Sequence, residues 1–389
     1  MKVNVLGAAV TPVQPSLKTT VKEMILDVFI RAVADAGIEP GDVEGLFITP
    51  QGFAGMSSAM LACNLADYLG LSLKSLSMEE CGGTSSTVAF HYAMDEILTC
   101  RNSINVVIGL DVKFEPFEDF EFGLPESIFT QHSLYGIHFA RYGIGTPVPF
   151  YALSSQRYMH EYGVTPEDAA ELAVLLRENA CKNPNAQFRK PITKEDVLTS
   201  RMISPPLRLL DCTTFSTGAA ACVLAAENIR GKKPHVDIRG FGEFHHASNF
   251  IPPQASITTF ESVRRASAEA YGAAGIKPGD IDVAEVYDVF TYTELMVYED
   301  LGFFEKGTAA RHVRDGETRI DGRLPINPSG GRLSMGHPAG ATPMLEFAEV
   351  LWQLRGEAGD RQVKAPGLGL VHAEHGMLNG GIVIIMERH

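Results

Sequence analysis

Residues 327–342 read NPSGGRLSMGHPAGAT and are the most informative part of the chain. Four glycines and two prolines surround His337, and a long amphipathic helix is predicted to follow. Glycine permits positive φ angles and a close approach of the backbone to a ligand. A histidine held in such a loop can polarise a carbonyl or move a proton near neutral pH. From these residues alone, a turn with an incidental surface histidine is an equal alternative.

The composition indicates a globular protein of two or three domain-sized units. The chain has 389 residues, of which 45% are hydrophobic and 21% charged. Its net charge of −14 disfavours a general nucleic-acid binder. No apolar run is long enough for a membrane helix, and the N-terminus does not read as a secretory signal. Six cysteines without a CxxC pair exclude a disulfide framework or a zinc ribbon in this chain and favour a reducing cytoplasm.

Apolar runs alternate with helical periods, which predicts α/β layering with buried parallel strands. The predicted strands are 3–6, 45–48, 105–108, 236–238, 283–286 and 381–386, and the predicted helices are 21–36, 85–99, 165–180, 260–274 and 344–355.

An eight-residue repeat predicts two similar halves. AGIEPGDV at 36–43 recurs as AGIKPGDI at 274–281, each time after an alanine-rich helix and before an apolar strand. We expect halves of about 1–245 and 246–389, although the pattern could also be a common helix-exit turn. The first half is longer by an insertion at about 113–207, which begins with an aromatic-rich stretch without periodicity. Such a stretch is typical of a cover over a functional site.

The stretch 327–342, followed by QLRGEAGDRQV at 353–363, resembles the C-terminal signature of the thiolase superfamily. It is most similar to the branch of the sterol-carrier-protein thiolases, and PPLRLLDCTTFSTGAAA at 205–221 agrees with it. The resemblance implies a five-layered αβαβα fold of two pseudo-twofold-related halves, a homodimer and an acyl-CoA substrate. It implies C–C bond making or breaking beside the thioester, with no permanently bound cofactor and with coenzyme A as substrate or product.

The position of the family's nucleophilic cysteine has two alternative alignments. Alignment of the helix without a gap places Gly83 there, so the nucleophile is lost and only backbone remains. Alignment of the Cys-Gly pair places Cys81 there, at the cost of an insertion in the helix. A helix N-terminus would lower the pKa of such a thiol.

The family's first oxyanion hole pairs the histidine of a GHP motif with an asparagine or histidine after a strand. His337 matches the first of these residues. The second aligns with EVYDVF at 285–290, where Tyr287 replaces it. A tyrosine can donate a hydrogen bond or act as acid or base. Thiolase-like aldolases resemble the chain at VYD but tend to carry tyrosine in place of the GHP histidine.

The family's second acid/base cysteine is absent from the last glycine-rich loop, predicted at 370–381. His372 aligns best with that cysteine and His375 with a usual glycine, so both are candidate bases. Gly376 is the candidate backbone donor of this loop. His337, His372, Glu374 and His375 are suitable metal ligands by type, but nothing in their spacing enforces a site, and we expect none.

The residues support two activities. The first is a thiolase that cleaves or forms a β-ketoacyl-CoA with a bulky or aromatic acyl group, similar to benzoylsuccinyl-CoA thiolases. The intact GHP motif and Cys81 favour it. The second is a retro-aldol lyase for a β-hydroxyacyl-CoA with Tyr287 as base, which the Gly83 alignment favours. A non-catalytic scaffold subunit is a third alternative.

Binding partners can be predicted only in outline. Weak candidates for the phosphates of coenzyme A are Arg141, Arg157, Arg189 and Lys190. The resemblance also implies a small partner subunit with a zinc ribbon and an OB fold. No nucleic-acid or membrane partner is expected.

Overall fold

The structure is a computed structural model, which describes residues 2–50, 60–113, 142, 144, 146–246, 256–376 and 379–389. The strands are β1 (Val3–Val10), β2 (Gly45–Ile48), β3 (Ser75–Met78), β4 (Ile104–Asp111), β5 (Met202–Ser204), β6 (Leu207–Arg208), β7 (Gly218–Ala226), β8 (Val236–His245), β9 (Val283–Val286), β10 (Leu368–His375) and β11 (Gly380–Arg388). The helices are α1 (Val21–Ala36), α2 (Leu61–Tyr68), α3 (Ser85–Leu98), α4 (Val148–Tyr162), α5 (Pro166–Cys181), α6 (Lys194–Thr199), α7 (Glu261–Ala274), α8 (Thr291–Asp300), α9 (Ala309–Arg314), α10 (Gly331–Met335) and α11 (Thr342–Arg355).

The six predicted strands lie within observed strands, and the five predicted helices agree with observed helices to within two residues at each end. Of the predicted cover, residues 114–141 lie outside the described residues. Its end is helical rather than irregular, because α4 already begins at Val148.

The main sheet has the strand order β3-β2-β4-β7-β1-β8-β11-β10-β9. Strands β3-β2-β4-β7-β1 form its first segment and strands β8-β11-β10-β9 its second. In the first segment β3 pairs with β2 in parallel, and at the equivalent place in the second segment Ile326 forms a parallel bridge to β9. The two segments therefore share one topology. Strand β8 pairs with β11 along its length and with β1 at the pair Asn4–Asp237. We therefore propose that the second half begins at β8, earlier than the boundary at residue 245 that we expected.

The helices form layers on and between the sheet segments. Helix α1 packs on β1 and β7, and α7 packs on β8 and β11. Helices α3 and α11 contact each other and lie between the segments, where α3 meets β4 and α11 meets β7 and β10. The chain therefore has the layered α/β thiolase fold that the sequence predicts, with α3 and α11 as its central layer.

The two repeat copies adopt one conformation. Each preceding helix ends at a glycine with positive φ, 71° at Gly37 and 69° at Gly275. A short 3-10 turn follows in each, Pro40–Asp42 and Pro278–Asp280. Positive φ is readily available only to glycine, so the repeat marks two equivalent helix-to-strand turns.

No helix within the described ranges is both long enough and apolar enough to cross a membrane.

Candidate active site

The end of β9 is held by the glycine-rich stretch 327–342. The side chain of Asn327 accepts a hydrogen bond from the Val286 backbone nitrogen at 2.7 Å and donates one to the Val286 carbonyl at 3.0 Å. The Ser329 hydroxyl donates to buried Glu285 at 2.7 Å. Because both backbone groups of Val286 are satisfied by one amide, the position of the next residue, Tyr287, is fixed.

Asp288 orients the same stretch from the other side. Its carboxylate accepts hydrogen bonds from the backbone nitrogens of Arg332 at 2.6 Å and Leu333 at 3.1 Å, in the first turn of α10. A Cβ atom on Gly331 would lie 2.5 Å from this carboxylate, so a side chain does not fit there. Burial raises the pKa of Asp288 to about 7, although the charge of Arg332 opposes the shift.

Tyr287 and His337 form the centre of the candidate site. The Tyr287 hydroxyl lies 3.3 Å from Nε2 of His337, and the two rings are nearly perpendicular, at 88°. Nδ1 of His337 lies 3.1 Å from the Thr342 hydroxyl, which itself donates to the Pro338 carbonyl at 3.1 Å. A hydroxyl has one hydrogen, and with that hydrogen given to the Pro338 carbonyl we assign Nδ1–H as the donor to Thr342. Nε2 is then unprotonated and accepts the hydrogen bond from Tyr287.

Burial keeps both members of this pair neutral. It lowers the pKa of His337 to about 3, and the nearby Arg332 charge adds to the effect. Burial, followed by the charges of Glu374 and Glu346, raises the pKa of Tyr287 well above its usual value. The pair therefore consists of a phenol donor and an imidazole acceptor at neutral pH.

Gly83 faces this pair at the start of α3. A Cβ atom on Gly83 would lie 2.6 Å from the Tyr287 hydroxyl and 2.3 Å from the Glu374 carbonyl oxygen. Both distances are too short for a real contact, so residue 83 must be glycine while Tyr287 and the Glu374 backbone keep these positions. The structure thus brings Gly83, Tyr287 and His337 together.

Cys81 belongs to a different cluster. It precedes a 3-10 turn, Gly82–Thr84, and its sulfur lies within 4.8 Å of ring nitrogens of His245 and His375. Burial raises the pKa of its thiol, and the charges of Glu80 and Glu243 raise it further. A side-chain hydrogen bond with Thr84 opposes these effects, and the net change of the thiol pKa is upward.

The predicted loop at 370–381 is wrong in its extent, since β10 continues to His375 and pairs with β11 from Gly380. The run LVHAEH forms a strand because its side chains Leu370 and Val371 pack into the core on opposite sides of the sheet.

His372 is fully buried, and within the described part of the chain neither of its ring nitrogens has a hydrogen-bond partner. Burial lowers its pKa to about 3. Gly376 lies in the turn after β10, where its carbonyl accepts a hydrogen bond from Tyr151 at 3.1 Å.

The structure brings together a different set of potential metal ligands from the one considered in the sequence. Across the described ranges, the clusters of suitable side chains are Cys81 with His245 and His375, and His235 with Asp237 and His389. His375 is the single residue that the two interpretations share. His245 was not among the expected site residues, because the predicted strand ends at residue 238. In the structure β8 continues to His245, and Glu243 and His245 lie on the same face of it.

The candidates for coenzyme A binding remain predictions. Arg157 is exposed and forms an ion pair with Glu161 at 2.6 Å, whereas Arg189 and Lys190 are exposed neighbours. Arg141 lies outside the described residues.

A buried cluster of charged residues that the sequence did not predict lies beside the pair of Tyr287 and His337. The guanidinium of Arg332 lies 3.1 Å from Glu346 and 3.8 Å from Glu285, and all three side chains are fully buried. Burial raises the pKa of Glu285 to about 8. A charged residue within a glycine-rich stretch was the available signal for this cluster.

Comparison with known proteins identifies the family. Residues 243–388 match the family model described as thiolase C-terminal domain-like. The chain is 33% identical over 393 residues to the acetyl-CoA acetyltransferase of Methanothermobacter thermautotrophicus, covering 99% of each protein. It is 30% identical over 388 residues to the steroid side-chain-cleaving aldolase of Thermomonospora curvata, covering 94% of this chain and 93% of that one.

Solved structures agree with this result. The Ltp2-ChsH2(DUF35) aldolase matches with a TM-score of 0.83 and 28% identity, covering 98% of this chain and 97% of that one. The chain belongs to the thiolase superfamily, in the branch similar to sterol-carrier-protein thiolases, and is a thiolase or a thiolase-like aldolase.

Proposed function

We propose that the chain is a retro-aldol lyase that cleaves a β-hydroxyacyl-CoA without a covalent intermediate. One observation carries this proposal. The Tyr287 hydroxyl, bonded to the unprotonated nitrogen of His337, fills the space where a side chain at position 83 would begin. The acid/base group therefore takes the place of a nucleophile.

The reaction follows from the protonation states of the pair. Tyr287 accepts the proton of the substrate β-hydroxyl while its own proton passes to Nε2 of His337. The Cα–Cβ bond breaks, the β-carbon becomes a carbonyl, and the electron pair forms the thioester enolate. Nε2–H of His337 can now donate to the enolate, and its proton finally goes to the α-carbon. Burial disfavours the protonated imidazole and lowers its pKa to about 3, so this form is expected only while it faces the negative charge of the enolate, and it returns its proton to the α-carbon.

The surroundings of Cys81 argue against an acyl-enzyme at this residue. A thiolase needs a thiolate at neutral pH, and here burial and two acidic neighbours raise the thiol pKa. The similarity to an acetyl-CoA acetyltransferase keeps thiolysis as the alternative activity, which the experiment below distinguishes.

The substrate is proposed to carry a bulky or aromatic group on its β-carbon. The ring of Phe215 is 43% exposed and stacks on His337 at a centroid distance of 5.6 Å. It offers apolar surface beside the reacting pair, where such a group gains most from burial. Coenzyme A remains as the thioester of the product.

The assembly is proposed by similarity. The name of the related Ltp2-ChsH2(DUF35) aldolase includes a second subunit. We propose that this chain forms a homodimer and works with a small subunit of zinc-ribbon and OB-fold type, in the cytoplasm. This last step rests on analogy between relatives.

The test compares two substrates. The chain, alone and with its small subunit, is incubated with 3-hydroxy-3-phenylpropanoyl-CoA, or with 3-oxo-3-phenylpropanoyl-CoA plus CoA. We expect benzaldehyde and acetyl-CoA in equal amounts from the first and no thiolysis of the second. The mass of the intact protein should not change. An acyl adduct mapped to Cys81, together with thiolysis, would overturn the proposal.

A further inference from the structure

Two histidines meet across a glycine on the surface of the second sheet segment. Gly380 on β11 pairs with His375 on β10 and with His245 on β8. Since Gly380 has no side chain, the two rings close over it, and Nδ1 of His245 lies 2.7 Å from Nε2 of His375. A Cβ atom at 380 would lie 2.0 Å from that His375 nitrogen and 2.6 Å from that His245 nitrogen. The glycine is therefore what allows the histidines to converge.

Cys81 completes this group from the loop before α3. Its sulfur and the ring nitrogens of His245 and His375 all lie within 4.8 Å of one another. The loop packs closely here, because a Cβ atom on Gly82 would lie 3.3 Å from Cβ of His375. Three potential ligands thus converge from a loop and two strands that are far apart in sequence.

We propose that Cys81 Sγ, His245 Nδ1 and His375 Nε2 bind a Zn²⁺ ion. One thiolate and two imidazoles form a typical zinc ligand set, with bonds of about 2.3 Å to sulfur and about 2.0–2.1 Å to nitrogen. Tetrahedral geometry at those lengths separates two nitrogens by about 3.3 Å. The rings need to open from 2.7 Å by only about 0.6 Å to admit the ion. Three protein ligands leave the fourth position open.

The neighbours of His245 suit a metal ligand. Its Nε2 lies 2.5 Å from a carboxylate oxygen of Glu243, whose other oxygen lies 2.6 Å from Nδ1 of His91. A carboxylate that accepts Nε2–H leaves the Nδ1 lone pair directed at the ion, as in carboxylate–histidine–zinc arrangements. On binding, the Cys81 thiol releases its proton to solvent and the Nε2 proton of His375 moves to Nδ1.

The second cluster of suitable side chains does not favour a cation. Asp237 already forms an ion pair with Lys2 at 2.9 Å, and the Arg230 guanidinium contacts Nε2 of His235. Two positive neighbours oppose a divalent ion there. His389 of that cluster therefore provides a matched control.

The ion would fasten the loop before α3 to strands β8 and β10. Gly83, which faces Tyr287, is two residues from Cys81, so the site would hold that part of the active-site wall in place. The inference goes beyond the proposed lyase function and does not depend on it, because zinc content is measured without turnover.

The experiment measures metal directly. The full chain is stripped with a chelator under a reductant, incubated with Zn²⁺ or Co²⁺ and desalted. We expect about one Zn²⁺ per chain and, with Co²⁺, a sulfur-to-cobalt charge-transfer band. Cys81→Ser should remove the band, and His245→Gln and His375→Gln should each reduce the bound zinc at least tenfold. His389→Gln should bind as the wild type does.

A milder variant guards against misfolding of the ligand variants. Glu243→Gln keeps all three ligands and is expected to weaken zinc affinity by about 10–100-fold. A zinc content of the wild type below about a tenth of an ion per chain would overturn the inference. So would full zinc content in the three ligand variants, or a loss of zinc in His389→Gln alone. These outcomes leave the lyase proposal untouched.

Discussion

The hydroxyl oxygen of Tyr287 leaves no space for a side chain at residue 83. Only 2.6 Å separate that oxygen from the point where Gly83 would carry its Cβ atom. A cysteine at 83 and a tyrosine at 287 are therefore incompatible in this geometry. We propose that these two departures from the thiolase pattern, Gly83 and Tyr287, belong to one change of chemistry.

Gly83→Ala should damage both stability and cleavage. The new methyl group would collide with the Glu374 carbonyl and the Tyr287 hydroxyl, and backbone cannot move aside cheaply. We expect a loss of about 1–3 kcal/mol in the free energy of unfolding and a large loss of kcat. Gly41→Ala is the control, since nothing lies within 4 Å of its Cβ position. Urea unfolding and product assays check both; equal effects in the two variants would contradict the prediction.

Tyr287→Phe should abolish most cleavage without unfolding the chain. The ring is retained, and only the hydroxyl that contacts His337 is lost. General acid–base groups contribute about 10²–10⁴-fold to rates, so kcat should fall within that range. Tyr271→Phe is the matched control, because the buried Tyr271 hydroxyl donates a hydrogen bond to the backbone carbonyl of Leu301 at 2.9 Å and lies away from His337. Undiminished kcat in Tyr287→Phe would rule out its role as acid/base.

Asn327→Ala should act through the position of Tyr287. The change removes the amide that satisfies both backbone groups of Val286 and leaves them buried without partners. We expect a loss of about 3 kcal/mol in unfolding free energy. A positioning role predicts a lower kcat with KM nearly unchanged. Asn102→Ala, which removes a buried bond to Asn105, controls for stability loss alone.

His337 should make the fold sensitive to acid. Its pKa is about 3 in the folded chain against 6.5 for the free side chain, so the unfolded chain binds more protons between these values. Stability therefore falls as the pH is lowered through this window, by about 1.4 kcal/mol per pH unit for one proton. His337→Gln should flatten the plot of unfolding free energy against pH by about that slope. Identical slopes in His337→Gln and wild type would contradict the assignment.

Most helices and strands could be predicted from local sequence patterns, whereas contacts between residues far apart in the chain could not. Helix α1 has the predicted bounds because its capping box and its glycine cap are local signals. Strand β7 was missed because GAAACVLAA is alanine-rich and has little strand propensity. His337 could be predicted from the glycines around it, whereas the approach of His245 to His375 could be predicted only if the positions of β8 and β10 on either side of β11 were known. The contact between Gly83 and Tyr287 likewise joins residues that are about two hundred positions apart in the chain.

The strand order is repeated in the two sheet segments, but the chemistry is not. Gly83 follows a strand of the first segment, whereas Tyr287 and His337 follow strands and loops of the second. In the proposed lyase, the first half therefore contributes the backbone of Gly83, and the second half contributes the pair of Tyr287 and His337. The two halves share one topology but are not interchangeable in that reaction.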